Sequence, residues 1–332
     1  MLMEIELSLP DPDQQNLEEM KKMIEDNKYT SFVANYLREH KDEVEKLAKM
    51  QTKFEARWKD MIVTDLNAIP KRIVGGDLLD LQVSDACKKR IVSARCRFAR
   101  NLSNFAFPTF ISNEDRLGVE KELMSALSKL TGDLAGSYTK MEDIPPEKQE
   151  EMVKNHQLFH NKDHFLEMGK FFRDWPKGRG VFMSHDGTVM VWVGEEDHIR
   201  CMSLEKGSDI SSCYNKATRM LEHLDKYIGL AHHKDFGWLT SCPTNVGTGM
   251  RASVHISLPR LKAHKNIDEI KAFCKSHDLD FRGIGGENTG FEGDVFDVSN
   301  RRRYDVACKD AITDVINGLN LLMDMEQSLP EP

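Results

Sequence analysis

The run Val189-Met190-Val191-Trp192-Val193 is apolar at every position. A strand with one wet face alternates apolar and polar residues, so an unbroken run reads as a strand enclosed on both faces. It follows Gly180 to Ser184, a second β-rich run, across His185-Asp186-Gly187, which reads as a hairpin turn. The two runs are therefore expected to be antiparallel neighbours inside a covered sheet.

Helical patterns surround this hairpin. Ser112 is placed to cap a helix whose apolar positions are Leu117, Leu123, Leu127 and Leu130. Ile210, Tyr214, Ala217, Leu221, Leu224 and Ile228 mark another, and Ala311, Ile312, Val315, Ile316, Leu319, Leu322 and Met325 a third. Hairpin signals fall between helices without a regular strand–helix repeat. The predicted fold class is therefore α+β, a mainly antiparallel sheet flanked by helices.

Nearer the N-terminus, Val33, Leu37, Val44, Leu47, Met50, Phe54, Trp58 and Met61 recur at helical spacing in a strongly charged stretch. This reads as a packing stripe. Asn67 to Gly76, with Pro70 and the pair Gly75-Gly76, reads as a linker. The expected organisation is a small all-helical region over residues 1–75 and a large domain over residues 76–332.

A net charge of −8 argues against a general nucleic-acid binder but leaves room for a local basic pocket. The seven cysteines are irregularly spaced and include no CxxC pair, which suits free thiols better than disulfides or a zinc site. No segment approaches the roughly 18 consecutive apolar residues of a membrane helix. Met1 to Pro10 carries Glu4 and Glu6 and lacks the apolar core of a signal peptide. A cytoplasmic protein is expected, with no membrane or nucleic-acid partner.

Four segments carry chemistry. In Arg251 to Leu258, Arg251, Ser253, His255 and Ser257 alternate with Ala252, Val254, Ile256 and Leu258, so a strand would put the polar set on one face. Such a face suits a nucleotide, with arginine on phosphate and imidazole against a base; a solvated face gives the same alternation. Ser93-Ala94-Arg95-Cys96-Arg97 would point two guanidinium groups to one side, where they need an anion or carboxylates opposite. Glu195-Glu196-Asp197-His198-Ile199-Arg200 follows the apolar strand, and enclosed carboxylates there need cations or metal as partners. Arg282 to Gly290 is glycine-rich with one arginine and one carboxylate, Glu287, and suits a closing loop or an ordinary surface loop. No P-loop sequence occurs. His156, His160 and His164 could share a helix face but complete no zinc pattern. His232-His233 and Arg301-Arg302-Arg303 read as solvated surface.

These segments, in this order, together with Ser241-Cys242-Pro243-Thr244-Asn245-Val246-Gly247-Thr248-Gly249-Met250-Arg251, Asp174-Trp175-Pro176 and Val295-Phe296-Asp297-Val298-Ser299-Asn300, resemble the successive motifs of phosphagen (guanidino) kinases. The similarity runs from about Arg90 to Gln327. The resemblance implies that Arg95, Arg97, Arg200, Arg251 and Arg282 bind the phosphates of ATP or ADP. Magnesium would be held mainly by phosphate and water, with no direct protein ligand. Glu195 matches the carboxylate that contacts a magnesium-bound water, Glu196 the one that grips and deprotonates the guanidinium, Cys242 the reactive thiolate and His255 a histidine near adenine. Glu287 matches a second substrate carboxylate of arginine kinases.

Two positions depart from the family pattern: Gly194 stands where it has Asn, and Met183 where it has a histidine. The implied activity is reversible transfer of the ATP γ-phosphate to a small guanidine, arginine first and taurocyamine as an alternative. A protein-bound arginine is the other acceptor to consider. A catalytically silent scaffold or nucleotide sensor, docking through its N-terminal helices onto a larger assembly, is the non-enzymatic alternative.

Overall fold

A computed structural model describes residues 78–283 and 293–331. The predicted N-terminal helical region, its linker as far as Gly76, and Glu287 lie outside the described residues.

Strands β1 (Ile91–Arg100), β2 (Gly136–Lys140), β3 (Gly180–Ser184), β4 (Val189–Val193), β5 (Ile199–Lys206), β6 (His232–His233), β7 (Gly237–Trp238), β8 (Met250–Ser257), β9 (Leu279–Gly283) and β10 (Val295–Asn300) supply two sheets. The large one has eight strands in the order β2-β3-β4-β5-β1-β8-β10-β9, and β6 pairs with β7 in the small one. Every neighbouring pair is antiparallel. Helices α1 (Asp85–Lys88), α2 (Asn113–Leu127), α3 (Pro146–Lys154), α4 (His164–Met168), α5 (Ile210–Asp225), α6 (Pro259–His264), α7 (Ile267–Ser276) and α8 (Cys308–Ser328) complete the α+β architecture. Among the described residues no helix is long and apolar enough to cross a membrane.

The two faces of the large sheet differ. Ala94, Cys96 and Phe98 of β1, Val191 and Val193 of β4, and Val254 and Ile256 of β8 belong to the main core. That core includes Tyr214, Ala217 and Leu221 of α5 and Ile312, Val315 and Leu319 of α8. Each fully buried Val, Leu, Ile or Phe side chain here contributes about 1.5–3 kcal/mol against exposure. On the other face Met190, Trp192 and Met202 join Met141, Ile144, Leu158 and Phe159 in a second, smaller cluster. β4 is thus buried on both faces, as its unbroken apolar run requires.

Capping sets the helix starts. The Ser112 hydroxyl accepts from Asp115 N (3.0 Å) and opens α2, while Asp209 accepts from Ser212 N (2.7 Å) and opens α5. The predicted stripe of α2 needs correction. Leu117 is exposed and Leu130 lies beyond the helix, while Arg116, Val119, Glu120, Leu123, Ala126 and Leu127 form the buried set. Apolar spacing alone misses this because the stripe includes a buried carboxylate, Glu120, which accepts from the Tyr138 hydroxyl at 2.8 Å. Ile228 likewise lies past the end of α5, though it is buried.

Two further surface assignments are corrected. His232 is buried in β6, edge-on to Trp238 with ring centroids 4.9 Å apart. Arg303 is half-buried, donating to the carbonyls of Met250 and Thr244. His156, His160 and His164 share no helix: α3 ends at Lys154 and His164 begins α4.

Candidate active site

Strand register assembles the arginines. Arg97 stands opposite Arg251 on one side and Met202 on the other, and Arg95 opposite Ser253. Arg200 pairs with Ala99 and Trp192. His255 pairs with Asp297, which in turn pairs with Arg282. Directly opposed residues in an antiparallel ladder project from the same face. Arg95, Arg97, Arg200, Arg251, Arg282 and His255 therefore all rise from the face opposite the main helical core. The predicted cofactor set is brought together by five strands, β1, β5, β8, β9 and β10.

Their electrostatics are strained in one direction. Burial, reinforced by Arg251, pulls the Arg95 pKa down to about 10. Burial also holds Arg97 well below its ordinary value, and Arg200, Arg95 and Arg251 add to the effect. The Arg97 side chain makes no hydrogen bond or ion pair among the described residues. Guanidinium groups crowded this way call for counter-charge, which a polyanion could supply.

Two carboxylate clusters hold the rest of the set. Asp297 accepts from both terminal nitrogens of Arg251 (3.0 and 3.3 Å), with His255 Nε2 at 3.7 Å from the same carboxylate. Burial opposes the Asp297 charge, but His255 and Arg251 outweigh it and lower its pKa. Arg282 pairs with Asp280 at 3.2 Å.

The loop after β4 places Glu195 and Glu196 on Arg200, at 2.7 and 3.0 Å from its Nη2. Glu195 Oε2 also accepts from Glu196 N (2.9 Å). Burial works against the Arg200 charge, yet Glu195, Glu196 and Asp197 lift its pKa above the ordinary value. Burial raises the Glu196 pKa; Arg200 opposes this, and Asp197 and Glu195 reinforce it. Gly194, which opens this loop, has φ +75°. Gly and Asn are the residues that tolerate this region best, so Gly194 fits where the family pattern has Asn.

Cys242 precedes a short 3-10 turn, Pro243–Asn245. Its Sγ lies 3.1 Å from the Thr244 hydroxyl and within electrostatic reach of Arg200 and Arg303. Six of the seven cysteines are buried and Cys242 is the half-buried one.

Three residues that sequence reading passed over belong here. Asp297 was visible as part of a motif, yet its grip on Arg251 and His255 depends on strand pairing. Arg303 lies within electrostatic reach of Arg251, Arg282 and Cys242. His156 has φ +56° just beyond α3, in a segment held to the sheet by the Trp192 indole donating to Gln157 O (3.0 Å). Burial, Arg95 and His255 all lower the His156 pKa, which places it beside the arginine row. Met183 lies farther along the Arg97 row, beyond Met202 and Met190.

Fold and site define a class: an α+β domain with a row of arginines on one face of an antiparallel sheet, and buried carboxylates and a thiol close to it. The family model for the ATP:guanido phosphotransferase C-terminal catalytic domain matches residues 110–329. The chain is 37% identical over 278 residues to an arginine kinase of Anthopleura japonica, covering 81% of this chain and 38% of that one. It is 36% identical over 253 residues to arginine kinase Oct f 2 of Amphioctopus fangsiao, covering 76% of this chain and 72% of that one. Among solved structures, the duplicated taurocyamine kinase from Schistosoma mansoni with bound transition state analog components matches with a TM-score of 0.70 at 33% identity. That match covers 76% of this chain and 35% of the other. The chain belongs to the ATP:guanido phosphotransferase family.

Proposed function

We propose that this chain transfers the γ-phosphate of ATP reversibly to the guanidino group of a small substrate, arginine first. The observation that carries this is the convergence of Arg95, Arg97, Arg200, Arg251 and Arg282 on one sheet face, beside Glu196 and Cys242. Phosphoryl transfer needs in-line placement and neutralised oxygens more than covalent help. The arginine row supplies fixed positive charge for the phosphates, and His255 and His156, which lies within electrostatic reach of Arg95 and His255, are assigned to the nucleoside.

Glu196 is assigned as the group that grips the guanidinium and takes its proton. Burial strengthens it as a base, and Arg200 keeps it ionised and aimed. Cys242 is assigned to the guanidinium's other side, where a thiolate near cations would favour the reactive tautomer. Glu287 is assigned as a second substrate carboxylate.

Magnesium fits the donor set as a phosphate-borne ion. Glu195, held on Arg200 at 2.7 Å, is assigned to contact the ion through a bound water. The ion would cancel charge on the phosphate oxygens.

Taurocyamine is the second acceptor, given the structural likeness to a taurocyamine kinase. The working compartment is proposed to be the cytoplasm. A coupled assay for ATP-dependent phosphorylation of arginine, taurocyamine, creatine and an arginine-rich protein tests the reading. Turnover on arginine with magnesium is expected. Turnover on the protein alone, or on nothing, would overturn it.

A further inference from the structure

Glu196 and Cys242 come from loops 46 positions apart, and something must hold them in register. Asp197 is fully buried directly after Glu196. Its Oδ1 accepts from Ser241 N at 2.7 Å, and Ser241 directly precedes Cys242. The same oxygen accepts from Asn101 Nδ2 at 2.6 Å, just beyond the arginine-bearing strand β1. One carboxylate oxygen thus joins the base loop, the thiol loop and the end of β1.

The partners of this carboxylate are fixed in turn. Asn101 Oδ1 accepts from His198 N (2.8 Å), and Asn101 Nδ2 also reaches Leu239 O (3.3 Å). His198 Nδ1 accepts from Leu102 N (3.1 Å), so its Nε2 carries the proton and donates to Ala106 O (3.1 Å). Burial lowers the His198 pKa to about 3, so this tautomer is neutral throughout the working range. The hydrogen bonds of the brace run between these loops and make no bond to the arginine row, on which Asp197 acts only through its charge at Arg200.

We infer that Asp197 is a positioning residue that sets the spacing between Glu196 and Cys242, and that it acts on the chemical step rather than on nucleotide binding. This rests on the guanidino-transfer reading above. A carboxylate bonded to neutral donors, buried and remote from solvent, is costly unless its geometry is needed. Here the cost falls where a displacement of about 1 Å lowers rate by about 100-fold.

The test compares Asp197→Ala with Asp197→Asn, which keeps an acceptor oxygen in the same place. Asp197→Ala is expected to lower kcat about 100-fold while the dissociation constant for ADP, measured by calorimetry, stays within about threefold. Asp197→Asn is expected to recover most of the rate. Alkylation of Cys242 by iodoacetamide gives a readout without turnover, and its rate should change in the alanine variant and return in the asparagine one. If Asp197→Ala does not fold, Asn101→Ala takes its place with the same expected pattern. Wild-type kcat and alkylation in a folded alanine variant would overturn the inference, as would a matching loss of ADP affinity. If the wild-type protein turns over no guanidine, the functional reading fails; the alkylation rates then still decide whether Asp197 places Cys242.

Discussion

Arg97 and Arg251 stand directly opposite each other on the adjacent antiparallel strands β1 and β8. Like charges directly opposed across a ladder destabilise a sheet, and here Arg251 adds to the burial that weakens the hold of Arg97 on its charge. The arrangement is tolerable because Asp297 neutralises Arg251, and under the proposed function a bound polyanion would make it favourable. Arg97 has no comparable partner among the described residues, so it is the position where stability and binding oppose each other most directly.

Arg97→Met is therefore expected to leave the ligand-free thermal midpoint unchanged or raised, while cutting kcat/KM by about 100- to 1,000-fold. The stabilisation that ADP confers on the wild-type protein by mass action should be largely lost. Scanning calorimetry with and without ADP checks both halves. A large fall in the ligand-free midpoint would count against the assignment.

Glu196 predicts a pH dependence. It acts as a base only when ionised, so kcat/KM falls as pH drops through its pKa. Burial raises that pKa, and Arg200 opposes the shift without cancelling it. The acid limb of the profile should therefore lie above the ordinary glutamate value of about 4.3. Glu196→Gln should lower kcat by about 100- to 10,000-fold with ADP affinity retained. Rates measured from about pH 3.5 upward in about half-unit steps would show the limb; a limb at the ordinary value would sink the assignment.

Cys242 predicts a thiol count. Of the seven cysteines only this one is not buried. One equivalent of iodoacetamide should react rapidly in the folded protein, with the other six reacting only on unfolding. Cys242→Ser should abolish the fast phase, and ADP with a guanidine should slow it. Mass spectrometry of the labelled peptide decides between this and labelling elsewhere.

Gly249 links the thiol loop to Arg251 at φ +58°. An added Cβ would lie 2.6 Å from Arg100 Nη1 and 2.8 Å from Ala99 O. The carbonyl is fixed in the sheet and Arg100 is packed on Trp238, 4.3 Å from its ring centroid, so neither can yield. Gly249→Ala should destabilise the fold by about 1–3 kcal/mol. Denaturant unfolding measures it, and a change below about 0.5 kcal/mol would contradict the strain argument.

Much of the fold can be read from local pattern. The apolar run of β4, the turn at His185-Asp186-Gly187 and the alternation in β8 each match the structure, because strand period and turn chemistry are local properties. Helix stripes are less complete. Glu120 sits in the buried face of α2, and a search for apolar residues cannot find a carboxylate whose partner, Tyr138, comes from strand β2. Arg303 reads as surface for the same reason, since the carbonyls of Met250 and Thr244 come from a distant segment, whereas His232 is covered by Trp238 across a tight hairpin.

The candidate site divides along the same line. The amino-acid sequence by itself determines which groups are present: the arginines, the paired glutamates and the cysteine signature, with a spacing that resembles one family. It also determines that the arginines of β1 and β8 point to one side of their strands, because side chains in a strand alternate. Only the tertiary structure decides that Arg97 faces Arg251, that Asp297 grips Arg251 and His255 together, and that Asp197 ties Glu196 to Cys242. Those relationships depend on inter-strand register and on hydrogen bonds between residues far apart in the chain, which no local period encodes.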